Sequence, residues 1–257
     1  MDRLGRLLSL VYRDLRIQFT VSNVVWTLLS PITFIFFTGL MMVALVQNVS
    51  INGQSVTYLA FLIPGIIAEQ VLSGGMMAGW TVVEDRREGN LEQILSMPFT
   101  RLDYITAILI SMILFTLMYV GIVVVLALSI SAINISLIAV LMMLVYLVAG
   151  TLIFGSIMLM LVTISRSYIT INVSTAFITS ILIFASSVYY PINANTPVIL
   201  SYIAYSNPLT YIVNGIRQAF FGGVDQTSLF VLGVLILLSL TIISAVSIFY
   251  EKSKTLF

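Results

Sequence analysis

One carboxylate, Glu69, stands alone inside an apolar run that extends from Thr57 to Thr81. An ionisable side chain at membrane depth is costly and faces a bundle interior or a wet cavity, so Glu69 is a candidate proton or cation site. The alternative is a protonated or paired group that serves packing. The other ionisable groups are concentrated in an island, Glu84–Asp103, which holds Glu84, Asp85, Arg86, Arg87, Glu88, Glu92, Arg101 and Asp103. A charged hairpin of this kind is either a solvated linker or a place where a soluble partner takes hold. Histidine and cysteine are both absent. That removes the commonest general base, the thiolate nucleophile and the usual transition-metal ligands. No Gly-x4-Gly-Lys-Ser/Thr phosphate loop occurs in the chain, so no nucleotide is bound by that route. A membrane-embedded enzyme would need ionisable or nucleophilic groups clustered at one depth. Glu69 and Arg217 are expected at different depths, so neither a catalytic residue, a metal site nor a bound cofactor is expected.

The elements that must position these groups are membrane helices. The chain is 60% hydrophobic and 8% charged, whereas a soluble domain carries roughly 25% charged residues. The sequence therefore predicts one all-α integral membrane domain, residues 1–257. Residues 1–22 form a basic amphipathic helix. Leu4, Leu7, Leu8, Val11, Tyr12, Leu15 and Phe19 share one arc, with Arg6, Arg13 and Arg16 on the other, the pattern of a helix lying in the membrane interface. Six apolar runs follow at about 24–46, 57–81, 105–129, 136–162, 169–189 and 227–249, each near the ~20 residues that a ~30 Å hydrocarbon core demands. With both termini inside, Arg3, Arg6, Arg13, Arg16, Arg86, Arg87, Arg101, Arg166, Lys252 and Lys254 fall on the cytoplasmic side and Arg217 alone falls opposite. This asymmetry sets the expected orientation of a multi-pass plasma-membrane protein.

Within this frame the second run carries Pro64-Gly65, an expected early interruption. Asn172, Thr175 and Thr179 form a stripe at helical spacing in the fifth run. Such a stripe either lines a polar path or hydrogen-bonds to a neighbouring helix. Gly150, Gly155 and Ser156 in the fourth run suit close helix packing. Residues 190–226 include two apolar stretches too short to span, read as re-entrant or external helices. Asn207-Pro208 is a helix start, a cap followed by proline in the first turn, and Gly222-Gly223 is a helix end. Arg217 sits on the second short helix.

Three stretches in this order resemble the permease subunits of type-2 ABC exporters. Tyr58–Ile66 is similar to the opening of that family's second span, Glu84–Pro98 to its coupling-helix segment, and Asn207–Arg217 to its element before the last span. The resemblance covers essentially the whole chain. It implies a six-span permease with a cytoplasmic coupling helix in residues 82–104, working as a homo- or heterodimer with two ATP-binding subunits. ATP and Mg would be used by those partner subunits, and no nucleic-acid partner is expected. In the coupling segment Arg87, Glu88 and Glu92 would face the ATPase while Leu91, Ile94 and Leu95 anchor the helix. Gly89 would let the chain turn sharply, and Pro98 would end the helix. The resemblance also implies a translocation path along the second and fifth spans, where Glu69, Asn172, Thr175 and Thr179 are the candidate polar residues; Glu69 itself matches no role in that family. Tyr190, Pro191, Asn207, Pro208 and Arg217 are candidates for an external gate. The cargo would be an amphipathic or lipid-like molecule: a drug, a lipid or a lipid-linked glycan. The Leu72–Met76 stretch is similar to the start of an ABC ATPase signature loop, but inside an apolar run it reads as close packing of small residues. A different class, a stand-alone secondary carrier built around Glu69, would show paired broken helices in two internal repeats. The sequence shows no such symmetry.

Overall fold

A computed structural model describes residues 3–39, 41–42, 46, 48–51, 54–130, 136–165, 167–192, 196–221 and 225–252. In chain order the elements are α1 (Arg3–Gln18), α2 (Val21–Phe34) running on into a π-helical turn (Ile35–Gly39), β1 (Asn48–Ile51), β2 (Gln54–Thr57), α3 (Tyr58–Arg87), α4 (Asn90–Ser96), α5 (Arg101–Ile130), α6 (Leu137–Ile164), α7 (Tyr168–Phe184), α8 (Val198–Ser206), α9 (Pro208–Phe221) and α10 (Gln226–Lys252). The expectations placed on residues 131–135, Arg166, Gly222-Gly223 and Lys254 lie outside the described residues.

Among the described residues, four helices are long and apolar enough to cross a membrane: Tyr58–Arg87, Arg101–Leu128, Leu137–Ile164 and Gln226–Ile248. The first expected span is instead the 14-residue α2 with Pro31 inside it and a π turn after it. Proline withdraws one intrahelical hydrogen bond and crowds the preceding turn, and the helix widens just beyond it. The fifth, α7, has 17 residues and stops short of the expected 189. The Leu182 carbonyl, which would bond the amide of Ser186 in a longer helix, accepts Asn207 Nδ2 at 2.7 Å instead. Ser186 N turns to the Ile183 carbonyl at 3.3 Å.

The fold is all-α as expected, with a short two-stranded antiparallel hairpin added between α2 and α3, in which Asn48 pairs with Thr57 and Ile51 with Gln54. Alternation on both strands around Asn52-Gly53 is the sequence pattern of such a hairpin. The expected interruption at Pro64-Gly65 is also corrected, because α3 continues through Pro64 as one 30-residue helix. Gly65 serves a close approach instead: a Cβ there would lie 2.4 Å from the Val188 carbonyl oxygen.

α3 is the most enclosed of the four long helices and α10 the least. It packs along α6, α5 and α9. Phe61, Leu62, Ile66, Ile67 and Leu72 of α3 join Tyr104, Ile105, Tyr146 and Phe154 at the centre of the core. Small residues allow the α3–α6 approach, since a Cβ on Gly75 would meet Phe154 Cβ at 2.7 Å and one on Gly155 would meet the Gly75 carbonyl oxygen at 3.4 Å.

α1 packs on α5 through one edge of its apolar arc and the residues beside it. Leu4, Leu8 and Tyr12 of the apolar arc are exposed, while Leu10, Val11, Asp14 and Gln18 are buried. Arg13, expected on the polar arc, turns inward, because two carboxylates wait for it there.

Candidate functional site

The island folds as turn, helix, turn. At the end of α3, Gly89 takes a left-handed conformation (φ 75°, ψ 5°), which a side chain would disfavour by about 1–2 kcal/mol. A Cβ there meets nothing within 4 Å, so the backbone alone sets the preference. α4 then buries Leu91 and Ile94, with Leu95 half-buried. Arg87, Glu88 and Glu92 are exposed. Met97 is extended (ψ 168°), as the residue before Pro98 must be, and the helix stops. The Pro98 carbonyl accepts Arg6 Nη1 at 3.0 Å. Thr100 and Asp103 cap α5 reciprocally, Thr100 N to Asp103 Oδ2 and Asp103 N to Thr100 Oγ1, both 3.1 Å. Arg87 lies 4.7 Å from the Tyr168 ring centroid. The seven residues singled out here, Arg87, Glu88, Gly89, Leu91, Glu92, Leu95 and Pro98, therefore lie at the end of α3 and along the turn, helix and turn that follow it.

Beside it lies a charge node that sequence reading missed. Arg13 donates from Nη2 to Asp14 Oδ1 (2.6 Å) and to Asp85 Oδ2 (2.7 Å), and Tyr104 OH donates to the same Asp85 oxygen at 2.7 Å. The node ties α1 to α3 and α5. Asp14 is 1% exposed, and α1 lies outside the long spans. Burial pushes its carboxyl up to about 6, against the pull of Arg13. For an acid raised on folding, the native state holds the extra proton. The stability it confers is full below the ordinary aspartate pKa and is lost as pH rises through about 6. The melting temperature in detergent is expected to fall by several degrees between pH 5 and 7.5, for a change of about 1–1.5 kcal/mol. Asp14→Asn should flatten that step. An unaltered pH profile in the variant would remove Asp14 as its cause.

Glu69 sits near the middle of α3 and has a partner: Tyr189 OH donates to its Oε2 at 2.9 Å. It also opens on a cavity of about 370 Å³ bounded by α1, α2, α3 and α5. Thr175 opens on another, apolar cavity of about 220 Å³ between α3, α6 and α7, lined by Met76, Met158 and Ile178. Its hydroxyl donates within its own helix, to the Ile171 carbonyl at 2.7 Å. Asn172 is exposed and Thr179 half-buried. Glu69 and the α7 stripe therefore do not share a described cavity.

At the other end of α3, Arg217 is 5% exposed. Nη2 donates to the Ser187 carbonyl (2.9 Å) and the Phe61 carbonyl (3.4 Å), and Nη1 to Asn214 Oδ1 (3.2 Å). The guanidinium stands 3.8 Å from the Phe61 ring centroid, and Ser187 Oγ donates to Asn214 Oδ1 at 2.9 Å. This fastens α9 to α3 and to the stretch after α7. Asn207 caps α9, its Oδ1 accepting Leu209 N at 2.9 Å, and Pro208 opens the helix. Tyr190 OH donates to the Phe184 carbonyl. Tyr190 and Pro191 are half-buried, on the segment that Arg217 holds. Asn207, Pro208, Arg217, Tyr190 and Pro191 thus lie on one set of contacts around the end of α7.

A family model described as ABC-2 type transporter matches residues 6–221. That stretch begins in α1, ends with α9, and contains α4, the charge node, Glu69 and Arg217. No curated protein matched the chain.

Proposed function

The chain belongs to the ABC-2 type transporter family, and from that membership we propose that it is the membrane-spanning permease of an ATP-driven exporter. α2 with its π turn, α3, α5, α6, α7 and α10 are the six spans, with both termini on the cytoplasmic side of the plasma membrane. The permease pairs with a second permease, identical or not, and with two cytoplasmic ATPase subunits that use ATP and Mg. Its cargo is an amphipathic drug, a lipid or a lipid-linked glycan.

The observation that carries this reading is α4. A solvated linker has no reason to bury Leu91 and Ile94 while holding Arg87, Glu88 and Glu92 outward. The burial seats the helix on the bundle, and the mixed charges give a partner register and specificity. Closure of the ATPases on ATP displaces α4, and α3 follows because only the turn at Gly89 separates them. The shift of α3 against its neighbours then opens a path by alternating access.

The test is affinity capture of the tagged chain from its native membrane, with ATPase activity assayed on the complex. An ATPase is expected to co-purify from wild type and to be lost, by tenfold or more in yield, in the Glu88→Ala, Glu92→Ala double variant. An ATPase that stays bound in the variant places the contact elsewhere. A chain that carries no ATPase overturns the exporter.

A further inference from the structure

The 370 Å³ cavity around Glu69 has a chemistry of its own. Among the described residues, Glu69 is its one carboxylate and no lysine or arginine lines it. Tyr189, which does not line it, holds one carboxylate oxygen from outside. Gln18, at 3% exposure, brings an Oε1 with no hydrogen-bond partner among the described residues, and Thr116, at 1%, brings an Oγ1 in the same condition. Both residues line the cavity with the carboxylate, but the two oxygens themselves are enclosed in the wall, Thr116 Oγ1 against Gly74 of α3. Two aromatic rings, Phe115 and Tyr119, complete the site. Edge-to-face packing of Phe19 on Phe115 at 5.9 Å fixes the α1–α2 elbow beside it.

We propose that this cavity is a lateral binding site for a cationic head group, an alkylammonium or quaternary ammonium on an apolar body, with Glu69 as its counter-charge. A carboxylate and ring faces both favour a cation. An anion would meet Glu69 with nothing among the described lining to offset the repulsion, and an apolar ligand would leave the Glu69 carboxylate without a counter-charge. The volume accommodates a small head group, and the exposed apolar side of α1 and α2 at Leu8, Tyr12, Val25 and Leu29 lets a tail remain in lipid. The site rests on the exporter reading only for its use as a cargo site; binding itself does not require it.

The probe is benzyltrimethylammonium, titrated calorimetrically into the chain in zwitterionic nanodiscs, with empty nanodiscs as blank and benzyl alcohol as the uncharged comparison. Wild type is expected to bind the ammonium and not the alcohol. Glu69→Gln should weaken binding by tenfold or more, and Ser73→Leu, which fills the cavity without touching the charge, should abolish it. Both variants are checked for an unchanged melting temperature, and a variant that unfolds is replaced by Gln70→Leu at the same wall, with the same loss expected. Equal affinity in wild type and Glu69→Gln, or no binding by folded wild type, overturns the site. ATPase co-purification, scored on the same preparations, separates the two ideas. A chain that holds its ATPase but not the ammonium overturns the pocket alone, and one that binds the ammonium without an ATPase overturns the exporter alone.

Discussion

Gly75→Leu is expected to leave little or no monodisperse protein after detergent extraction, and Gly75→Ala to lower the melting temperature sharply. At this position α3 and α6 touch backbone to backbone. A Cβ would stand 2.7 Å from Phe154 Cβ, 2.9 Å from Gly155 N and 3.0 Å from the Thr151 carbonyl oxygen. Two of those three atoms belong to the backbone and cannot swing away, so the helices must separate. Overpacking of this kind costs about 1–3 kcal/mol for one methyl group. For leucine the cost rises with every atom that cannot be placed, and the small-residue contact on which membrane helices depend is gone. The internal control is alanine at Gly121 and Gly233, where a Cβ meets nothing within 4 Å. Those substitutions should be neutral or stabilising by up to about 1 kcal/mol through helix propensity. Size-exclusion profiles and thermal melts of the four variants decide the matter. A Gly75→Leu protein as monodisperse as Gly121→Ala would mean that α3 and α6 are not this close.

Arg217→Ala is expected to destabilise by roughly 2–4 kcal/mol and to open the segment 185–192 to protease. The substitution removes the donors serving the Ser187 and Phe61 carbonyls, and a buried acceptor left unserved costs about 1–3 kcal/mol; Asn214 Oδ1 loses Arg217 but keeps Ser187 Oγ. Phe61 also loses the cation on its ring face. Burial of an unpaired guanidinium works in the opposite direction, and replacing such a charge with an apolar side chain of like volume is often neutral. Arg217→Met therefore discriminates. If the fork of hydrogen bonds matters, methionine fills the space and recovers only part of the loss. If methionine restores the wild-type melting temperature and protease resistance, the guanidinium contributes volume alone. Arg217→Lys should fall between, since an ammonium cannot reproduce the planar fork.

Local features were legible in the sequence where a single residue type dictates a conformation. Gly89 turns left-handed, Pro98 makes Met97 extended, and Asn207-Pro208 opens a helix, because each rule acts within a few positions of the chain. The inward face of α4 was equally readable from the spacing of Leu91 and Ile94. The charge node was not, because Arg13 and Asp85 are brought together only by tertiary packing. A helical wheel sees a basic arc and assigns it to water. The partner of Glu69 was hidden for the same reason, as Tyr189 lies 120 positions away. The hairpin had a local signal, alternation around Asn52-Gly53, which the strength of the surrounding apolar runs overshadowed. The ends of α2 and α7 fail for another reason. Hydropathy reports how far a chain stays apolar, and it cannot tell where a proline or a borrowed carbonyl changes the helix.

α3 has a consequence for regulation. Its 30 residues extend about 45 Å at 1.5 Å per residue. Phe61 under Arg217 lies near its first turn, Glu69 on the cavity wall midway, Asp85 in the charge node, and Glu88 at its last cap. Sites on one helix share its displacements, and where two ligands each favour one position of that helix their affinities are coupled by a free energy that runs equally in both directions. On the proposed function, whatever factor an ATPase on α4 imposes on the affinity of the proposed cavity site at Glu69, a ligand there imposes the same factor on the affinity of the ATPase.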